Sequence, residues 1–150
     1  RRYAADRCAS CSLTSSHTEP QVEPELRKQY YFRPSKQGFY AWDVDRLVAL
    51  TKDFQRVRVK IDSIREVDGT FWSSGITEQL TRRAIVEHVR LIQQTDLSYP
   101  IILSSDGRVM DGMHRVAKAL LEGQETIEAV QFSEDPEPDY EDVQPDELPY

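Results

Sequence analysis

The stretch from Tyr99 to Gly123, YPIILSSDGRVMDGMHRVAKALLEG, constrains the fold more than any other part of the chain. Pro100-Ile101-Ile102-Leu103 has the length and β-branching of a buried strand. Ser105-Asp106-Gly107 is turn chemistry, since Asp tolerates the bend and Gly supplies a positive φ without steric cost. Val109-Met110 reads as the returning strand, ended by Asp111-Gly112. Met113, Val116, Ala117, Leu120 and Leu121 then recur at helical spacing, and Gly123 supplies a helix stop. The unit is strand, hairpin, strand, Asp-Gly, helix.

Its chemistry lies at the last junction. The first amides of a helix lack intrahelical acceptors and carry the positive end of the dipole, so they attract anions. Gly112 keeps that approach uncluttered, and His114 and Arg115 stand in the first turn. Arg presents a planar, permanently charged fork suited to phosphate oxygens. On spacing alone a second reading stands beside this one: Asp111 as a helix cap, Arg115 as a solvated charge and His114 as incidental.

PIIL, DGRVMDGMHRVAKALLEG and the following Ile127-Glu128-Ala129-Val130 together resemble the ParB/sulfiredoxin superfamily over roughly Val57 to Phe132. That family carries a Gly-x-(His/Arg)-Arg box at a strand-to-helix turn, matched here by Gly112, His114 and Arg115. Asp-Gly ahead of the variable residue is most similar to the free-serine kinase branch. The resemblance implies an α/β fold of α+β mixed type, a small mixed sheet with flanking helices. It also implies nucleotide phosphate binding by Gly112, Met113, His114 and Arg115, with ATP, ADP or CTP as the nucleotide. Asp111 is a catalytic candidate that would hold Mg²⁺ or orient His114. Glu66 resembles the kinase branch's catalytic base, a glutamate soon after the first strand, and Asp68 is an equally near carboxylate; a surface acid is the other reading of each. The small-molecule acceptor is left open by the resemblance, and a homodimer is compatible with it. Sulfiredoxin chemistry does not carry over: Met113 occupies the place of the nucleophilic cysteine, and a thioether forms no thiolate. Met113 also departs from the residue usual there in the kinase and partition branches, so their activities do not transfer automatically.

Charge separates the chain into parts. From Ser133 to Tyr150 there are eight acidic residues and no Lys or Arg. Removing them leaves 19 basic residues against 26 − 8 = 18 acidic, a net of +1. A near-neutral body offers little to a nucleic-acid backbone, so a nucleic-acid partner is not expected. No apolar run approaches the ~20 residues that span a bilayer, and none resembles a signal segment, so no membrane association and a cytoplasmic location are expected.

Three regions follow: a flexible leader over 1–29, a domain over 30–132, and an acidic, proline-rich tail over 133–150. The leader holds Cys8 and Cys11 at CxxC spacing, with His17 the sole further candidate ligand nearby. A zinc site requires more ligands, and two free thiols are the expectation. Six aromatics fall within Tyr30 to Trp42 and are expected to form a packing arm, although base stacking is another use of such residues. Asp43 caps a helix carrying Val44, Leu47, Val48 and Leu50 to about Lys52. Arg56 to Ile61 alternates as a half-buried strand does, with Arg56, Arg58 and Lys60 outward. A loop of about ten residues from Phe71 could cover a ligand. Thr81 begins a helix whose apolar face carries Ala84, Ile85, His88, Val89, Leu91 and Ile92. His88 on that stripe reads as a boundary histidine or a phosphate contact. Thr126 to Phe132 alternates and forms a further strand. Four prolines in the tail exclude regular helix or a central strand, while Tyr140, Val143, Leu148 and Tyr150 could anchor it on the body.

Two functions stay open. One is an enzyme, a small-molecule phosphotransferase or NTPase; the other is a non-catalytic, nucleotide-gated regulatory module. A ParB-like DNA-associated protein or nuclease is a poorer fit, because the chain has neither a helix-turn-helix nor a metal-carboxylate cluster.

Overall fold

A computed structural model of the chain describes residues 28–69 and 81–150. The Cys8/Cys11 leader and the loop from Phe71 fall outside the described residues. The described residues form two sheets and three α-helices, a mixed α/β fold. The central sheet has four strands in the order β3-β6-β4-β5, and a second sheet has three in the order β1-β2-β7.

The central sheet grows from the expected hairpin. β4 (Ile101–Leu103) and β5 (Val109–Asp111) pair antiparallel across the Ser104–Arg108 turn, where Gly107 takes φ +82°. β6 (Thr126–Gln131) lies parallel to β4, with Ile101 opposite Ala129. β3 (Val57–Lys60) closes the other edge, antiparallel to β6. Alternation along the strands divides two cores. Ile101, Leu103, Val109, Ile127 and Ala129 face α3 (Met113–Leu121), which contributes Val116 and Ala119. Ile102, Met110 and Val130 face the other way, meeting Trp42, Leu47 and Phe132. A one-residue slip in β4 would exchange these faces, so the pattern fixes the register.

The aromatic arm is a hairpin. β1 (Tyr30–Pro34) and β2 (Phe39–Asp43) pair antiparallel, and their rings meet edge-on or tilted, as Phe32 does with Phe39 at 5.9 Å. β2 runs straight into α1 (Val44–Thr51), whose N-cap Asp43 accepts a hydrogen bond from the Asp45 amide at 2.9 Å. The acidic tail supplies β7 (Tyr140–Val143), an edge strand on β2, in the one stretch of the tail between Pro138 and Pro145. Ahead of β7, Asp135 accepts from the Arg33 guanidinium at 2.7 Å, and the Trp42 indole N–H donates to the Pro136 carbonyl at 2.8 Å. The tail is thus a structural part of the second sheet.

Three expectations need correction. The expected strand over Arg56 to Ile61 is shorter and more exposed: β3 is an edge strand with Val57 43% accessible, while Val59 and the following Ile61, already in a 3-10 turn, reach the core. The buried stripe of α3 is Val116 and Ala119; Leu120 and Leu121 face outward, because the helix meets the sheet one position away from the expected line. On α2 (Arg82–Gln94), capped by Thr81, only Ala84, His88 and Ile92 are half-buried, four residues apart, and Ile85, Val89 and Leu91 are exposed. None of the helices among the described residues is long and apolar enough to cross a membrane.

Candidate functional site

The strand-to-helix turn after β5 is built around one glycine. Gly112 takes φ +104° and ψ 21°, a left-handed conformation that a side chain would strain. Space imposes the same requirement, since an added Cβ would lie 2.8 Å from both the Ile101 Cγ2 and the Arg115 Nη2. Gly112 is the N-cap of α3, and no side chain caps the helix. The first amides of α3 therefore keep their hydrogens for another acceptor. Asp111 is not the cap, in contrast to the plainer of the two sequence readings.

Asp111 instead binds Arg115. Its Oδ2 lies 2.6 Å from Arg115 Nη2, and the two side chains are 20% and 18% exposed. The spacing is i,i+4, with the acid toward the N-terminus as the helix dipole favours. Arg115 is therefore not a solvated surface charge. Its Nε is buried with no hydrogen-bond partner, and the same holds for His114 Nε2.

His114 packs against His88 of α2, with ring centroids 4.9 Å apart and planes tilted by 56°. Burial holds the His114 imidazolium below the ordinary histidine range, and the neighbouring His88 adds to that shift; Asp111 opposes it. Beside this contact, Lys118 of α3 donates to the carbonyls of Gln93 and Thr95, at 3.0 and 2.6 Å, and fastens the end of α2.

The turn opens onto a cleft of about 570 Å³. Asp111 to Arg115 line one side and Tyr30 to Phe32 of β1 another, with Thr95 at the end of α2. A smaller cavity of about 260 Å³ lies between α1 and the central sheet, and Asp111 and Arg115 line it as well. The ion pair is the wall common to both.

The expected residues thus separate. Asp111, Gly112, Met113, His114 and Arg115 share the cleft, and His88 joins them through His114. Glu66 is not among the cleft's lining residues: its Oε1 accepts from the Val109 amide at 3.0 Å, and its buried Oε2 has no hydrogen-bond partner. Asp68 is exposed on a short 3-10 turn. Among the described residues no three His, Cys, Asp or Glu side chains gather as a metal cluster. Among the described residues Asp111 is the one carboxylate lining the cleft, which suits a Mg²⁺ ion carried by phosphates better than one held by protein alone.

The part of β1 in the cleft wall was missed in the sequence, although Tyr30-Tyr31-Phe32 has strand composition. The Asp111–Arg115 pair was also missed; its i,i+4 spacing was the available signal. No protein-family model matches the chain, and neither a curated protein nor a solved structure matches it.

Proposed function

We propose that the cleft binds a nucleotide, ATP, ADP or CTP, with its phosphates at the start of α3. One observation carries the reading. Uncapped helix amides and a buried arginine N–H without an acceptor, from a guanidinium that lies over Gly112, meet at one face of the cleft. Oxygens of a phosphate group would accept from all of these donors. His114, once protonated, adds another. The resemblance of the DGMHR box to the ParB/sulfiredoxin superfamily points to the same residues.

As an enzyme, the protein would be a small-molecule phosphotransferase or NTPase. Gly112 to Arg115 would hold the transferred group, and Asp111 would receive the acceptor's proton or meet Mg²⁺ arriving with the phosphates. Mg²⁺ would supply charge neutralisation there. Glu66 bound to the Val109 amide favours a second reading, a nucleotide-gated module without transfer, because the expected base is already engaged in holding β5.

Calorimetric titration with ADP, ATP and CTP, each with and without Mg²⁺, tests binding. Micromolar affinity that falls at least tenfold in Arg115→Ala is expected, since a charge-assisted contact contributes about 1.5–3 kcal/mol. No binding of any of the three overturns the proposal. Phosphate release or transfer, assayed on the same samples, separates enzyme from switch.

A further inference from the structure

The smaller cavity has a character of its own. Ile102 and Val130 are buried beneath it, and Val48, Phe54 and Tyr99 stand at it with 49%, 36% and 63% of their surfaces exposed. Three large apolar side chains gathered at one opening are an unusual use of exposed surface. Phe54 is held in place, its ring edge-on to the buried Phe132 with centroids 5.3 Å apart. An apolar ligand would meet a wall that is already ordered.

The polar groups are asymmetric. Arg56 is engaged by the Ser98 carbonyl and Glu128, both at 3.0 Å. The Thr51 hydroxyl donates to the Leu47 carbonyl at 2.9 Å. Asp111, the one carboxylate among the lining residues described, is held by Arg115. Among the described lining residues, the donors left for a ligand are the Lys52 ammonium, 72% exposed and 3.9 Å from Asp53, and Arg56, whose two bonds both leave from Nη1. The C-terminal end of α1 brings roughly half a negative charge to this rim, less than the full charge of Lys52. Three cationic side chains, Lys52, Arg56 and Arg115, face one carboxylate, Asp111, among the described lining residues, so an anionic group on the ligand suits this rim.

We propose that this cavity is a second ligand site, for a small monocarboxylate with an aromatic or branched apolar body. The body lies between Val48, Phe54 and Tyr99, and the carboxylate accepts from the Lys52 ammonium at the rim. The site is separate from the nucleotide proposal and shares only the Asp111–Arg115 wall with it.

Two-dimensional NMR titration with 3-phenylpropionate, and with its neutral amide 3-phenylpropanamide, tests this on the whole chain. Saturable binding with a dissociation constant on the order of 1 mM is expected, with shifts at the Val48, Lys52, Phe54 and Tyr99 amides. The neutral amide should bind at least tenfold more weakly. Val48→Trp fills the opening and Lys52→Glu reverses its charge; each should weaken the acid at least tenfold. ADP titrated into the same samples reports on the larger cleft alone, and its affinity in Val48→Trp should stay that of the parent chain. Failure of ADP to bind the parent chain would bear on the cleft and not on this cavity. Absence of saturable shifts, equal binding of the amide, or undiminished binding by Lys52→Glu would each overturn the proposal.

Discussion

The Arg115 guanidinium reaches back one turn over Gly112 to meet Asp111, so a charge on a helix and a glycine before it occupy a single volume. Its Nη2 lies 2.6 Å from the Asp111 carboxylate, and both Nη2 and Nε lie within 2.9 Å of where a Cβ on Gly112 would be. The glycine is thereby tied to the arginine's position as well as to the turn. A chain that kept the turn but lost the arginine would retain half of the reason for glycine there.

Gly112→Ala should therefore fail twice. The φ of +104° and the clash with Ile101 and Arg115 together should cost on the order of 2–3 kcal/mol of stability. ADP affinity should also fall, because the displaced guanidinium no longer faces the helix amides. Urea denaturation and calorimetry on the same variant check both effects.

The histidine contact gives the fold an acid-sensitive point. Burial and His88 hold the folded-state affinity of His114 for a proton below that of the unfolded chain. Below the ordinary histidine value of about 6.5 the unfolded chain binds more protons, so the stability contributed by neutral His114 is present above that value. It is lost as pH falls from there through the lowered folded-state value. His114→Asn should flatten the stability profile in that window, as followed by thermal melting from neutral to mildly acidic pH. Bound phosphates should reverse the shift, so ADP binding just below neutrality should take up protons. Calorimetry in buffers of different ionisation enthalpy reads that uptake directly.

Asp135 ties the tail to both sheets, accepting from Arg33 of β1 at 2.7 Å and from the Ser105 amide of the β4–β5 turn at 2.7 Å. Burial pushes its carboxyl up, yet the Ser105 amide and Arg33 outweigh this and leave it below the ordinary aspartate range. Its contribution is present above the unfolded-chain value and lost as pH falls through the lower folded-state value. Asp135→Asn should cost about 1–2 kcal/mol at neutral pH, measured by urea denaturation, and should reduce the acid sensitivity of unfolding.

The legible parts of the sequence were those in which local chemistry and tertiary packing agree. Pro100 to Leu103, the Asp106-Gly107 turn, the Asp43 cap and the Thr126 strand are cases of such agreement. The hairpin of Tyr30 to Asp43 was read as an arm, since aromatic clustering obscures strand alternation when both faces of a strand meet rings. β7 was hidden by acidity and proline, because an edge strand with half its backbone unpaired tolerates both. At the site, Gly112 to Arg115 were legible as a turn motif. The position of Glu66 was not, because its engagement with the Val109 amide depends on a contact 43 residues away.

The ring cluster of Tyr30 with Tyr140 and Tyr150, together with the hydrogen bond from the Tyr30 hydroxyl to the Pro149 carbonyl at 2.8 Å, sets an order of events in synthesis. Residues near the start of the described chain have their partners 119 positions later. While the ribosome is still making the stretch beyond Phe132, β2 has an open edge and Trp42 lacks its carbonyl acceptor. The second sheet must wait as an unfinished surface until Tyr140 to Val143 have emerged. A chaperone that favours exposed strand edges would find one on β2 during that wait and lose it once β7 pairs there.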